Sequence, residues 1–99
     1  MKGAIPDKFM LFQNYPNPFN PTTTISFALP LESKIEISIY NILGQEIKQL
    51  ANLIESAGYH EITFNANNLA SGIYFYRITA ISTDGKREFN EVKRLVLLK

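Results

Sequence analysis

The 99-residue chain contains no cysteine, a single histidine, and only five glycines and five prolines. Without cysteine it has no disulfide, no thiolate metal site and no cysteine nucleophile. That absence does not fix the compartment, because an exported domain with a sufficient core needs no bridges. Apolar runs extend for only a few residues, far short of the roughly 20 needed to cross a bilayer as a helix, so no membrane insertion is expected. Pro6, Asp7 and Lys8 interrupt the start before any signal-peptide core could form. Charge of one sign is also missing: ten Lys and Arg oppose nine Asp and Glu, a net charge of +1. Bulk electrostatics therefore supplies no drive towards nucleic acid or an anionic membrane.

What is present is period-two hydrophobicity. A chain of this length makes one domain, burying roughly 60–65% of its unfolded surface. Ile25, Phe27 and Leu29 alternate with polar or small residues, as do Ile35, Ile37 and Ile39, and these predict two half-buried strands separated by Pro30–Ser33. Gly44 offers positive φ for a turn after Asn41, and a third strand begins near Gln45 with Ile47 and Leu50 as anchors. His60, Ile62 and Phe64 alternate in a fourth strand, and Gly72–Ile81 is dense in β-branched and aromatic residues. Thr83-Asp84-Gly85-Lys86 predicts a hairpin turn, with Arg87–Leu98 returning. With a short segment at Phe9–Phe12, about seven strands result. Sustained helical spacing is absent, so the fold class is all-β, an immunoglobulin-like antiparallel sandwich.

Three stretches stand out from this pattern. Asn14–Pro21 reads Asn-Tyr-Pro-Asn-Pro-Phe-Asn-Pro and holds three of the five prolines. Each proline fixes its own φ, removes a backbone donor and biases the preceding residue towards extended geometry. By local physics the block is a stiff spacer, or a segment pinned to a sheet by Tyr15 and Phe19. Leu69-Ala70-Ser71-Gly72-Ile73-Tyr74 resembles a tyrosine corner, in which the Tyr74 phenol bonds back to upstream backbone; the plain alternative is an ordinary strand aromatic. Finally, Leu95-Val96-Leu97-Leu98 is apolar on both strand faces, and five of the ten basic residues fall between Lys86 and Lys99. That end reads either as a strand buried on both sides or as an edge offering backbone for strand addition.

Candidate chemistry is sparse. His60 lies alone in an alternating strand without a carboxylate cluster, so it reads as a packed or hydrogen-bonded side chain. Asn65, Asn67, Asn68 and Asp84 lack the clustered acidic loop of a calcium site. No Ser/His/Asp order, nucleotide loop or paired carboxylates present themselves, and no catalytic residue, cofactor or metal is predicted; the chain is not expected to be an enzyme. Tyr40, Tyr59, Tyr74, Phe75 and Tyr76 supply the ingredients of a sugar-stacking surface, which keeps a carbohydrate-binding module as the alternative, beside a passive structural domain.

Taken in order, the proline block, Ile39–Ile47, Ala57–His60, Leu69–Tyr76 and the terminal Lys93–Lys99 resemble the C-terminal sorting domain of type IX secretion cargo, from about Phe9 to Lys99. The resemblance implies an address label on a larger protein, exported through the periplasm to the cell surface or exterior. It implies recognition by an outer-membrane shuttle protein through Lys93, Arg94, Leu95, Val96, Leu97, Leu98 and Lys99. It also implies removal by a sortase-like peptidase near or upstream of Ile5–Lys8, often with transfer of the cargo to an anionic lipopolysaccharide. Pro16, Asn17, Pro18, Phe19, Asn20, Pro21, Gly44, Leu69, Gly72 and Tyr74 take structural parts. Residues 1–8 fall outside the resemblance, as a linker or an artificial start. The chain is expected to be the excised C-terminal piece of a cargo whose identity, cleavage bond, final anchoring and oligomeric state the sequence leaves open.

Overall fold

The structure is a computed structural model and describes residues 5–99. It consists of seven strands, β1 Met10–Leu11, β2 Thr22–Leu29, β3 Ser33–Tyr40, β4 Glu46–Glu55, β5 Gly58–Asn65, β6 Gly72–Ser82 and β7 Glu88–Leu97. They form a three-stranded sheet in the order β1-β2-β5 and a four-stranded sheet in the order β4-β3-β6-β7, with every pairing antiparallel. The chain crosses between sheets after β2, β4 and β5, which gives the three-plus-four arrangement of an immunoglobulin-like sandwich.

Alternation in the sequence becomes alternation in space. Ile25, Phe27 and Leu29 from β2 face Ile35, Ile37 and Ile39 from β3, Tyr76, Ile78 and Ala80 from β6, and Leu95 and Leu97 from β7; all are buried. Such a core is the main favourable term for a domain this small, because its loops and outer faces are solvated. Truncating a fully buried Leu97 would cost about 2–5 kcal/mol. Turn chemistry fixes the connections. Asn41 Oδ1 accepts from the Leu43 and Gln45 amides at 2.9 and 3.0 Å, and Gly44 takes φ 82°, a conformation that penalises a Cβ. At the β6–β7 hairpin, Asp84 Oδ1 accepts from the Ser82 hydroxyl at 2.6 Å and the Lys86 amide at 2.9 Å. These bonds hold the Asp84 carboxyl below its ordinary range, the Ser82 bond foremost.

Two expectations change. β4 anchors through Ala51, with Leu50 only half-buried against the core, while Ile47 stands 37% exposed. The reason is that β4 is an edge strand whose register against β3 shifts twice, between Ile37 and Ser38 and between Ile39 and Tyr40. Each shift turns the following side chains, so no simple alternation reaches the core. The second concerns the proline block, where the pinned segment holds and the spacer does not: Phe19 is buried in the core, Asn14 is 2% exposed, and Tyr15 bridges to Thr24 of β2 through its backbone while its ring stays exposed.

Tyr76 ties this block to the four-stranded sheet. Its hydroxyl donates to the Phe12 carbonyl at 2.8 Å and accepts from the Asn14 amide at 2.8 Å. Thr23 and Asn14 extend the network: Asn14 Nδ2 donates to Thr23 Oγ1 at 3.0 Å and to the Pro16 carbonyl at 3.2 Å, and Thr23 Oγ1 donates to the same carbonyl at 2.8 Å. Burial pushes the Tyr76 phenol up to about 12, against the opposing effect of the Asn14 amide. Because the folded state holds this proton more tightly than the unfolded chain, stability is full below pH 10 and declines as pH rises from 10 through about 12. We expect Tyr76→Phe to cost about 1–3 kcal/mol by leaving the Phe12 carbonyl and Asn14 amide unpaired. In urea titrations across pH 9–12 it should also lose less stability than the parent chain does.

Candidate recognition surface

β7 carries the last strand, and its side chains divide by parity. Leu95 and Leu97 point inward and are fully buried. Lys93 lies on the same face, where its ammonium meets Glu91 at 3.3 Å. Arg94 is exposed on the opposite face and Val96 half-buried. Leu98, just beyond the strand, is 55% exposed. Thus the seven residues of the expected recognition tail do two different jobs. Two hold the core, and Arg94, Leu98 and Lys99 are the ones that present side chains to solvent.

The backbone of this stretch is not open. The Phe19 amide donates to the Val96 carbonyl and the Leu98 amide donates to the Phe19 carbonyl, both at 3.0 Å. These two bonds make a parallel bridge between Phe19 and Leu97. Asn17 Oδ1 accepts from the Val96 amide at 2.9 Å, and Gln13 Nε2 donates to the Arg94 carbonyl at 2.7 Å. The proline block is therefore a strap along the edge of β7. Its composition explains the mixture of backbone and side-chain bonds. Pro16, Pro18 and Pro21 have no amide to give, so Phe19 supplies the backbone donor while the side chains of Gln13 and Asn17 stand in for further strand partners. Pro18 and Asn20 are exposed, and the Pro21 carbonyl accepts from the Ala66 amide at 2.8 Å.

The other end of the tail is fastened to the β5–β6 connection. The Lys99 amide donates to Ser71 Oγ at 2.9 Å and its Nζ bonds the Asn67 carbonyl. In the same connection the Tyr74 hydroxyl donates to the Ala70 carbonyl at 2.7 Å, the geometry of a tyrosine corner. Leu69 packs against the core beneath it, and Gly72 opens β6. Gly44 is remote from the tail, in the β3–β4 turn that holds Ile42 and Leu43 out at 69% and 78% exposure.

The remaining candidates separate. His60 stacks on Phe27 with ring centroids 5.5 Å apart, its Nε2 donates to the Ser56 carbonyl at 2.8 Å, and its Nδ1 lies 3.6 Å from Glu55. Asn65 Oδ1 accepts from the Asn67 amide. Asp84 lies at the opposite end of β6 from Asn65, Asn67 and Asn68, roughly 35 Å away at strand rise. Among the described residues no group of His, Cys, Asp and Glu is placed to hold a metal. The aromatics also scatter: Tyr76 is core, Tyr74 is the corner, Tyr59 lies on the other sheet, and only Tyr40 and Phe75 share a groove.

Gln13 and Thr23 lie outside every stretch that stands out in the sequence, yet with Asn14 and Tyr76 they position the strap. One signal was available: Thr23 occupies an inward position of a buried strand, where a polar side chain needs a partner. Replacing Asn17 with alanine should accelerate hydrogen exchange at the Val96 amide and cost about 0.5–1.5 kcal/mol. The Leu98 amide, held by Phe19, should keep its protection in the same exchange experiment.

With the strap, the turn and the corner placed, comparison with known proteins becomes informative. The secretion system C-terminal sorting domain family matches residues 13–92, taking in the strap and stopping inside β7 before Lys93. No curated protein matches the sequence. Among solved structures, the chain is similar to PorZ, an essential bacterial surface component of the type IX secretion system of Porphyromonas gingivalis, with a TM-score of 0.52 and 20% identity over 94% of this chain and 12% of PorZ. It is also similar to CopC from Methylosinus trichosporium OB3b, with a TM-score of 0.54 and 18% identity over 90% and 92% of the two chains. The PmoD soluble domain from Methylocystis sp. ATCC 49242 gives a TM-score of 0.57 and 12% identity over 91% and 89%. These three likenesses establish the sandwich and nothing finer. The family match, spanning most of the chain, shows that the chain belongs to the secretion system C-terminal sorting domain family.

Proposed function

We propose that this type IX sorting domain displays its address as side chains on a closed strand end. The observation that carries the reading is the strap: from Arg94 to Leu98 the outward backbone of β7 is already bonded to Gln13, Asn17 and Phe19. A receptor therefore meets Arg94, Leu98 and Lys99 as projecting groups rather than an open ladder. Family membership implies export of an attached cargo across the outer membrane to the cell surface or exterior. The finer steps belong to the proposal. The domain passes through the periplasm, an outer-membrane shuttle protein reads the Lys93–Lys99 end, and a sortase-like peptidase cuts upstream of the sandwich. Ile5, Asp7 and Lys8 are exposed while Pro6 is already buried, so a cut at or upstream of Ile5 leaves Pro6 and the Phe9–Phe89 stack, centroids 5.4 Å apart, with the sandwich. The domain itself takes a non-catalytic part, its one histidine being engaged by Ser56 and Phe27.

Placing residues 5–99 behind a periplasmic reporter in a type IX-competent cell should release or surface-display the reporter. Deletion of Lys93–Lys99 is a blunt test, because it also removes Leu95 and Leu97 from the core. The combined Arg94→Ala, Leu98→Ser and Lys99→Ala variant keeps those anchors. We expect it to retain its melting temperature within a few degrees and to lose export about tenfold or more, a loss of roughly 1.4 kcal/mol in recognition. Normal export of this variant would remove the address from the tail. Failure of the parent chain to export the reporter would remove the sorting role itself.

A further inference from the structure

The β3–β4 turn is built without the Ile42 or Leu43 side chain. Asn41 Oδ1 holds the Leu43 and Gln45 amides, the Asn41 amide donates to the Gln45 carbonyl and its carbonyl accepts from the Gly44 amide, both at 3.0 Å, and Gly44 supplies the positive φ. Polar residues at 42 and 43 would serve such a turn equally well. Two large aliphatic side chains are instead held out to solvent on a rigid base. Ile42 also forms one wall of a groove of about 270 Å³, whose other walls include Tyr40, Phe75, Arg77 and Val92.

This groove lies on the outer face of the four-stranded sheet, at the end that carries the tail. Tyr40 pairs with Phe75 and Phe75 with Arg94, one row across three strands. At about 4.8 Å per strand, Tyr40 and Arg94 are roughly 10 Å apart. The flanking rows of β6 and β7 set Arg77 beside Val92 and Ile73 beside Val96, on the same face by the two-residue period. Ile73 and Val92 are exposed, and Leu98 continues the parity of Arg94 and Val96 beyond the strand. The turn is thus two strands removed from β7, and an apolar strip across β6 joins the two. Among the described residues neither Arg77 nor Arg94 makes an ion pair; Arg77 Nε donates to Asn90 Oδ1 at 2.9 Å.

A stable protein interface takes roughly 800 Å² from each partner, some 20–30 residues a side. Arg94, Leu98 and Lys99 supply a small part of that, so a receptor seated on them also covers ground beside them. On one side the β5–β6 connection is polar, and its Asn67 and Ser71 are already bonded to Lys99. The strap borders β7 at its edge, whereas Arg94 stands on the sheet's outer face beside Phe75. That face continues from Arg94 without a break and is apolar, the composition of an interface centre. We propose that the receptor reading the tail also grips the Ile42–Leu43 knob and the groove beneath it. Its matching surface has an apolar hollow for the two side chains and a carboxylate for Arg77 and Arg94. This inference rests on the sorting reading above and enlarges its site from the strand end to one end of the sheet's outer face.

The reporter carrying residues 5–99 tests it in the type IX-competent cell. Ile42→Thr combined with Leu43→Ser leaves Asn41, Gly44 and every tail residue in place. We expect the purified variant to keep its melting temperature within a few degrees, and export to fall about tenfold or more. Ile54→Ser is the control, because Ile54 is 57% exposed on β4 beside Lys34, at the far end of the sheet; it should export normally. A photo-crosslinking residue in place of Leu43 should form, during export, the same adduct as one in place of Leu98. Normal export of the Ile42→Thr, Leu43→Ser variant overturns the proposal. So does an equal loss with Ile54→Ser, or an adduct at Leu43 that is absent or differs from the one at Leu98. In each of these cases the tail keeps its role if the Arg94→Ala, Leu98→Ser, Lys99→Ala variant still fails to export. Failure of the parent reporter would instead remove the sorting role, and the knob with it.

Discussion

The structure depends on a pair of hydrogen bonds made by one residue. Phe19 gives its amide to the Val96 carbonyl and takes the Leu98 amide on its own carbonyl, while its ring sits in the core, tilted against Phe64 at 6.0 Å. Backbone pairing and side-chain burial thus fix the same position from two sides. Without this bridge the end of β7 would hold to the sheet on its β6 side alone, with unpaired groups along the other. With it, the strap and the last strand close over one another across a separation of 79 residues between Asn17 and Val96.

The prolines make this arrangement specific. A strap with a full set of amides would be an ordinary strand, free to slip along β7 by two residues while keeping its bonds. Removing the amides at 16, 18 and 21 leaves Phe19 as the backbone donor between Asn17 and Asn20 that reaches the strand, and the buried ring permits only one placement. The carbonyls left behind need donors of their own. Pro16 receives two, from Asn14 and Thr23, and Pro21 receives the Ala66 amide. Tyr76 then fastens the start of the strap from below. Among the described residues no buried side-chain nitrogen or oxygen is left without a partner, which is the condition for a polar network to stabilise a core instead of weakening it.

Much of this fold was legible in the sequence, for a local reason. β2, β3 and β5 place apolar residues at every second position, β6 is dense in β-branched and aromatic residues, and the Asp84-Gly85 and Asn41–Gly44 turns carry their chemistry in consecutive residues. Tyr74 reaches a carbonyl only four residues back, so its motif is also local. What stayed hidden is non-local or depends on which strand lies at an edge. Ile47 looked like a core anchor because the sequence does not reveal the register shifts of β4. For Asn14–Pro21 the local residues leave a spacer and a pinned segment both open, because its partner is a strand at the opposite end of the chain. Leu95-Val96-Leu97-Leu98 looked apolar on both faces; in space Leu95 and Leu97 are core, and the outer side is partly covered by the strap.

These divisions bear on how a folded address can be read. Leu95 and Leu97 have no exposed surface, so no receptor can contact them without unfolding the sheet. In the fold they hold Arg94, Leu98 and Lys99 at fixed spacing against the strap and the β5–β6 connection, and under the proposed reading that spacing is their contribution to recognition. The strap follows β1, which is itself paired to β2. The lead-in from the N-terminal side therefore reaches the residues that close the final strand, Gln13, Asn17 and Phe19, by way of β1. The geometry of the address and the geometry of the attachment are consequently parts of one hydrogen-bonded unit. A chain in which the strap has not docked lacks the parallel bridge to Leu97, the acceptor for Val96 and the donor to Arg94 together. Presentation of the tail is in that sense a property of the completed sandwich, although the residues presented occupy only its last few positions.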